Sequence, residues 1–237
     1  MISRSEKRLV RFDMSEYAAP GSALHLVNGG GGGEGALARR VREQPFGVVL
    51  LDEIEKADSG VYDLLLQILG EGRLTDGTGR TVRFHNTVVI LTSNLGADSV
   101  GRSLGFGDGS THGAEAHYMA AAAAWFRPEL LNRFDQIVPF QPLSRETIER
   151  IARKALEAAL SREGLVRRGV TVRYGEEVVR RLAELGFDPR YGARPLKRAI
   201  EQWVIAPLAQ RIAAGSARRP AELRLGVSPT GAVELEG

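Results

Sequence analysis

Two unbroken apolar runs, Val48–Leu51 and Thr87–Leu91, stand out against an otherwise mixed pattern in the first 140 residues. Short runs without polar alternation read as strands buried on both faces, as in a parallel sheet covered by helices. Arg8–Asp13 reads as a further short strand, and Gln136–Phe140 as another, placed near an edge because Pro139 has no backbone donor. Between them, Ser59–Leu69 carries Val61, Leu64, Leu65, Ile68 and Leu69 at helical spacing, and Glu34–Glu43 predicts a helix that ends before Pro45. Arg73–Asn86 alternates about Asp76-Gly77-Thr78-Gly79, the signature of a hairpin. Gly29–Gly33 is a run of five glycines, too costly in chain entropy for a regular element, and predicts a flexible loop. Gly101–Gly113 reads as a second loop, followed by a helix from Ala120 that Pro128 interrupts or restarts.

From Ser144 the pattern becomes helical. Ser144 is placed as an N-cap, and Ile148, Ile151, Ala152, Ala155, Leu156 and Ala159 form one apolar stripe. Val178, Leu182 and Leu185 form a second, and a third helix spans about Pro195 to Ala214, with a kink expected at Pro207. Leu223–Leu235 closes the chain with paired strands around Ser228-Pro229-Thr230-Gly231. The expected organisation is therefore α/β over residues 1–141, then a mainly helical domain over 142–237 with a short C-terminal β element.

Composition narrows the function classes. The chain has no cysteine, which excludes disulfides and thiolate metal sites, and its four histidines show no metal-ligand spacing. Lysine occurs only at positions 7, 56, 154 and 197, so arginine supplies most of the positive charge. The net charge is +3 and both signs are mixed along the chain, so neither a nucleic-acid tail nor a basic reading helix is visible. No apolar run reaches membrane-spanning length and no signal-peptide pattern opens the chain, so no membrane partner is expected and the cytoplasm is the default compartment.

The candidate chemistry lies where the apolar runs end. Val48–Leu51 leads directly into Asp52-Glu53, and Thr87–Leu91 into Thr92-Ser93-Asn94. In parallel sheets ligands collect beyond the carboxyl ends of the strands, so these side chains are delivered where a nucleotide and its metal would sit. One carboxylate there can hold Mg²⁺ and its neighbour can orient an attacking water. Asn132-Arg133 follows the Pro-interrupted helix, and Gly192-Ala193-Arg194 opens a helix of the second domain.

Taken in order, RFDMSEY (11–17), GVVLLDEIEKA (47–57), LLLQILGEGRLTDGTGRTVRFHNTVVILTSNLG (64–96), FRPELLNRFD (126–135) and LGFDPRYGARPLKRAI (185–200) make the chain resemble the second ATPase module of Clp-family AAA+ unfoldases and disaggregases, over about residues 8 to 226. The resemblance implies a P-loop-type sheet subdomain whose N-terminal part is missing here, followed by a small lid domain. It implies ATP and Mg²⁺ as cofactors. Asp52 would hold the metal, through water, and Glu53 would polarise the attacking water. Asn94 would place that water as sensor 1. Arg133 would be the arginine finger reaching a neighbouring subunit, with Arg127 a lesser candidate, and Arg194 would be sensor 2, contacting nucleotide from the lid. A finger supplied by a neighbour raises the rate of other nucleotidases by about 10³ to 10⁵. The implied partners are further copies in a hexameric ring, unfolded or aggregated protein substrates, and a barrel peptidase if Leu104-Gly105-Phe106 is a docking tripeptide.

Two departures qualify the resemblance. The sequence contains no G-x-x-x-x-G-K-[ST], the loop whose backbone N–H groups and lysine cradle phosphates. The family places that loop just upstream of the RFDMSEY strand, so the chain is expected to bind ATP poorly by itself, as a fragment or a chain with a mispredicted start. The family also sets an aromatic residue among glycines in its axial-channel loop. The corresponding segment, Leu24–Ala36, has no aromatic; Gly29, Gly31 and Gly33, with Asp76 on the nearby hairpin, stand at the channel positions. A non-catalytic ring or regulatory module is the alternative function, and a DNA-acting AAA+ protein a third that the Clp-like second domain disfavours.

Overall fold

The computed structural model describes residues 8–29, 33–97, 111–188, 191–214 and 221–236. The chain divides into two compact units, residues 1–141 and 142–237.

The first unit is organised on a three-stranded parallel sheet of β1 (Leu9–Asp13), β4 (Val48–Asp52) and β7 (Val88–Leu91), in the order β1-β4-β7. The pairing is in register: Phe12 lies opposite Leu51, which lies opposite Leu91, and Asp13 opposite Asp52. Alternation along each strand sorts the side chains by face. Phe12, Val49 and Leu51 enter the core, where they join Met14, Ile54, Leu65 and Leu130. The other face holds Leu9, Leu50, Val88 and Ile90, and here the sequence-based expectation of strands buried on both faces is corrected. Leu9, Val88 and Ile90 remain 49%, 42% and 43% exposed, because no described element covers that side of the sheet.

Short elements connect the strands. α1 (Leu24–Val27) leads into β2 (Asn28–Gly29) and β3 (Gly33–Glu34), which pair antiparallel, and α2 (Ala36–Glu43) follows. The two ends of the glycine run, Gly29 and Gly33, are therefore paired in strands rather than irregular; Gly30 to Gly32, Gly31 among them, lie outside the described residues. The absence of side chains is what permits this. A Cβ on Gly29 would stand 2.6 Å from the carbonyl oxygen of Glu34, and one on Gly35 2.2 Å from the carbonyl carbon of Val27. α3 (Ser59–Glu71) is N-capped by Asp58, which accepts from the Gly60 N–H at 3.2 Å, and it ends at Gly72 in the left-handed region. β5 (Arg73–Thr75) and β6 (Thr81–Arg83) form the expected hairpin. α4 (Thr111–Trp125) begins nine residues earlier than the pattern indicated, and α5 (Pro128–Leu131) restarts the helix with proline in its first turn, where the missing N–H costs nothing.

One expected strand does not form. Gln136–Phe140 has no strand assignment, and Val138 and Phe140 are exposed. Pro139 removes one donor, and none of the described strands lies alongside to pair with the remaining ones.

In the second unit, α6 (Arg145–Leu160) starts at Ser144, whose hydroxyl accepts from the Thr147 N–H at 3.2 Å. α7 (Glu163–Val166) and α8 (Glu176–Leu185) follow. The long third helix is α9 (Leu196–Ile200), a π-helical turn Glu201–Ile205, and α10 (Ala206–Ala213). Pro207 would clash with the carbonyl four residues back in a regular helix, and the wider turn just ahead of it absorbs the misfit. β8 (Val170–Tyr174) pairs parallel with β9 (Ala221–Val227), which pairs antiparallel with β10 (Val233–Glu236). The β element is thus three-stranded; β8 lies in a short stretch that the helical reading passed over. Leu156, Leu182, Val204, Leu208 and Leu225 are fully buried at its core.

Candidate functional site

Polar groups gather where β4 and β7 end. Thr92, one residue beyond β7, binds the end of β4 four times over. Its N–H donates to the Leu51 carbonyl at 3.0 Å, and its own carbonyl accepts from the Ile54 N–H at 3.0 Å. Its hydroxyl donates to Asp52 Oδ1 and accepts from the Glu53 N–H at 3.1 Å. The second carboxylate oxygen of Asp52, Oδ2, pairs with the Arg11 guanidinium from β1. The Thr92 hydroxyl, and after it Arg11, hold the Asp52 carboxyl below the usual carboxylate range, so Asp52 is ionised at neutral pH.

Glu53 is the only non-glycine residue described at positive φ (58°, ψ 51°). A left-handed conformation costs an L-residue about 1–2 kcal/mol, and a residue held there against that cost is a recurrent mark of functional turns. The turn is fixed by Thr92 on one side and by the 3₁₀ turn Ile54–Lys56 on the other. It turns the chain sharply between Asp52 and Glu53, so two adjacent carboxylates leave the strand in different directions. Glu53 pairs with Lys56 on the same turn, which raises the Lys56 pKa.

Asn94 is exposed and lies two residues past Thr92 on the same rim. Its backbone N–H and its side-chain Nδ2 both face Glu55 Oε1, at 3.2 Å and 3.5 Å. Asp52, Glu53 and Asn94 therefore stand on one edge of the sheet. Thr92, the hub that joins Asp52 and Glu53, was not singled out from sequence; a threonine two residues before the asparagine carried no signal of its own. Nor was Glu55, which sequence reading passed over as part of the DEIEKA run.

The two arginines of 126–135 are distinguished by their surroundings. Arg127 is paired with Asp63 of α3 at 3.2 Å. The Arg133 side chain makes no hydrogen bond or ion pair among the described residues, and its guanidinium rests against Gly70. Gly70 is eleven residues along α3 from Ser59, a rise of about 16 Å. Arg133 thus sits toward the far end of α3 from the Asp52–Glu53 rim, at which α3 begins. Arg194 belongs to the second unit, where it is exposed. It follows Gly192, at φ 61°, in a turn in which its N–H donates to the Tyr191 carbonyl at 3.2 Å.

The channel candidates divide. Gly29 and Gly33 pair across the β2–β3 hairpin, and that hairpin packs on the β5–β6 turn, since a Cβ on Gly77 would stand 2.4 Å from Asn28 Oδ1. Asp76 does not present its side chain outward: it is 4% exposed. Its Oδ1 accepts from the Thr78 N–H at 2.8 Å, the Thr78 hydroxyl at 2.6 Å and the Arg80 N–H at 2.9 Å. These bonds lower its pKa and build the turn, so the expectation that Asp76 itself lines a channel is corrected. Leu104, Gly105 and Phe106 lie outside the described residues.

The donor set at the rim suits a hard, oxygen-seeking cation such as Mg²⁺: an ionised Asp52 beside the Thr92 hydroxyl. A single carboxylate fits an ion bound through its waters, and no group of three His, Asp or Glu that could hold a metal directly occurs among the described residues. The phosphate side is different, because the sequence holds no glycine-lysine loop to receive phosphates. Among the described residues no helix is long and apolar enough to cross a membrane.

Comparison with known proteins places this geometry in a family. Residues 1–137 match the model of the AAA domain (Cdc48 subfamily), and residues 143–225 match that of the C-terminal, D2-small domain of ClpB protein. The chain is 42% identical over 232 residues to the chaperone protein ClpB of Meiothermus ruber, covering 96% of this chain and 27% of the relative. It is 44% identical to that of Pseudomonas putida and 45% identical to that of Vibrio cholerae, each over 216 residues, 89% of this chain and 25% of the relative. The chain thus spans about a quarter of the length of the curated relatives it matches. With a sheet unit matched by the AAA model and a second unit matched by the ClpB small domain, the chain belongs to the Clp family of AAA+ ATPases and corresponds to its second ATPase module.

Proposed function

We propose that this chain supplies the hydrolytic rim, the arginine finger and the lid of an ATP-driven protein-remodelling module. It would work in the cytoplasm within a hexameric Clp-type ring that unfolds or disaggregates other proteins. ATP with Mg²⁺ supplies the energy, as the cleavage of its terminal phosphate. Asp52 is the residue for the metal, bound through water; Glu53 is the residue that polarises the attacking water; Asn94 places that water. Arg194 links the lid unit to the nucleotide.

The observation that carries this reading is the placement of Arg133. Its side chain is exposed and unpaired among the described residues, and it stands about three helical turns along α3 from the rim where Asp52 and Glu53 emerge. A cation so placed serves the rim of an adjoining copy rather than its own, as a finger supplied in trans must. Arg127, tied to Asp63, is less available for that role.

The reading predicts that the purified chain enters mixed rings with the ClpB of Meiothermus ruber and changes their ATPase rate, and that Arg133→Ala removes the effect while Arg127→Ala retains most of it. Equal effects of the two variants would overturn the assignment of the finger. A second reading, a non-catalytic ring module that keeps the finger alone, rests on the same unpaired Arg133 side chain. Binding of a fluorescent ATP analogue by the chain itself, with hydrolysis lost in Glu53→Gln, excludes that second reading; absence of binding, with the Arg133 effect intact, supports it. If Leu104-Gly105-Phe106 docks a barrel peptidase, Phe106→Ala weakens that association.

A further inference from the structure

We propose that Glu55 is a positioning residue for Asn94, fixing which end of the asparagine amide faces out of the rim; this rests on the nucleotide reading above. The polarity of the contact is set by chemistry. An ionised carboxylate only accepts hydrogen bonds, so the end of the Asn94 amide turned toward Glu55 is the NH₂ end. One oxygen, Oε1, faces both the backbone N–H at 3.2 Å and Nδ2 at 3.5 Å, so main chain and side chain are held by the same atom. The amide carbonyl is then directed away from Glu55, free to accept from a water at the rim.

Glu55 is not committed elsewhere. It enters no ion pair among the described residues, and its second oxygen, Oε2, is buried with no hydrogen-bond partner. The 3₁₀ turn Ile54–Lys56 explains why adjacent residues take different tasks. Its tight winding sends Lys56 back to Glu53 and Glu55 across to the strand end of β7. Glu53 and Glu55 are thereby kept apart, one for the reacting water and one for the residue that places it.

The test is a spectroscopic one on the intact chain. With Asn94 signals identified through Asn94→Ser, the backbone amide and one Nδ2 proton of Asn94 are expected downfield, and the backbone amide is expected to exchange about tenfold more slowly than in Glu55→Ala, the factor appropriate to one charge-assisted hydrogen bond. Glu55→Gln keeps an acceptor in place and is expected to restore most of both effects, which a role in packing alone would not require. As a second measurement, the side-chain carboxyl carbon of Glu55 is expected to shift in Asn94→Ala. Asn94 signals that are the same in wild type and Glu55→Ala, or a Glu55 carboxyl that ignores Asn94→Ala, would overturn the proposal. Movement of the Asn94 signals on addition of Mg-ATP tests the nucleotide reading separately, so each idea can fail without the other.

Discussion

Thr92 donates its hydroxyl hydrogen to Asp52, across the pairing of β7 with β4, and that one bond orients the acidic end of the central strand. The same oxygen accepts from Glu53, whose left-handed backbone would otherwise lack support on the strand side. Thr92→Val keeps the shape and removes both bonds, leaving the Glu53 N–H without an acceptor. The expected loss is about 1–3 kcal/mol of stability, read as a lower urea midpoint with an unchanged slope. A midpoint within error of wild type would show that Thr92 is not the hub described.

Glu53 carries the opposite signature, a residue kept at some cost to stability. Glu53→Gly removes the steric penalty of the left-handed conformation, and the gain is partly offset by the greater freedom of glycine in the unfolded chain. The variant is expected to be as stable as wild type or more so, by up to about 1 kcal/mol, in the same denaturation assay. Clear destabilisation would mean that the Glu53–Lys56 pair contributes more than the strain removes.

The glycine-rich hairpin offers a paired comparison. At Gly35 a methyl group would meet the Val27 backbone, which cannot move aside as a side chain tip could. At Gly33 the space is open and the φ is not positive. Gly35→Ala is expected to destabilise by about 1–3 kcal/mol or more, and Gly33→Ala to change stability by less than about 1 kcal/mol in either direction. Thermal unfolding followed by circular dichroism separates the two.

Asp76 gives a pH dependence with a defined sign. Its carboxyl is held below the usual range by the Thr78 hydroxyl, then by the Arg80 and Thr78 N–H groups. A group whose pKa is lower in the folded state contributes stability that is complete above its unfolded pKa and is lost as pH falls through the folded value. Wild type should therefore be more stable than Asp76→Asn by a constant margin from neutral pH down to about pH 5, with the margin shrinking below about pH 4. A margin that grows on acidification would contradict the hydrogen-bonded turn.

How far the fold was legible follows the range of the interactions. The ends of β4, α3 and α6 could be read locally, because apolar periodicity and capping by Asp58 and Ser144 are decided within a few residues. Gln136–Phe140 shows the limit: its composition suits a strand, but a strand exists only where another offers its hydrogen bonds, and none of the described strands does so. The ends of the glycine run erred the other way, since entropy argued against order while the cross-strand pairing of Gly29 with Gly33 supplied it.

The amino-acid order alone determined that two carboxylates and an asparagine follow apolar strands, because strand ends in a parallel sheet deliver their next residues to one rim. It also determined the family, through long runs of matching residues. Only the tertiary structure decided which groups those residues meet. Thr92 on Asp52, Glu55 on Asn94, a free Arg133 beside a tethered Arg127, and an Asp76 turned inward are contacts between segments up to 64 residues apart or between side chains whose direction depends on backbone angles. Local sequence carries no record of such pairings, since each is set by where the rest of the chain packs.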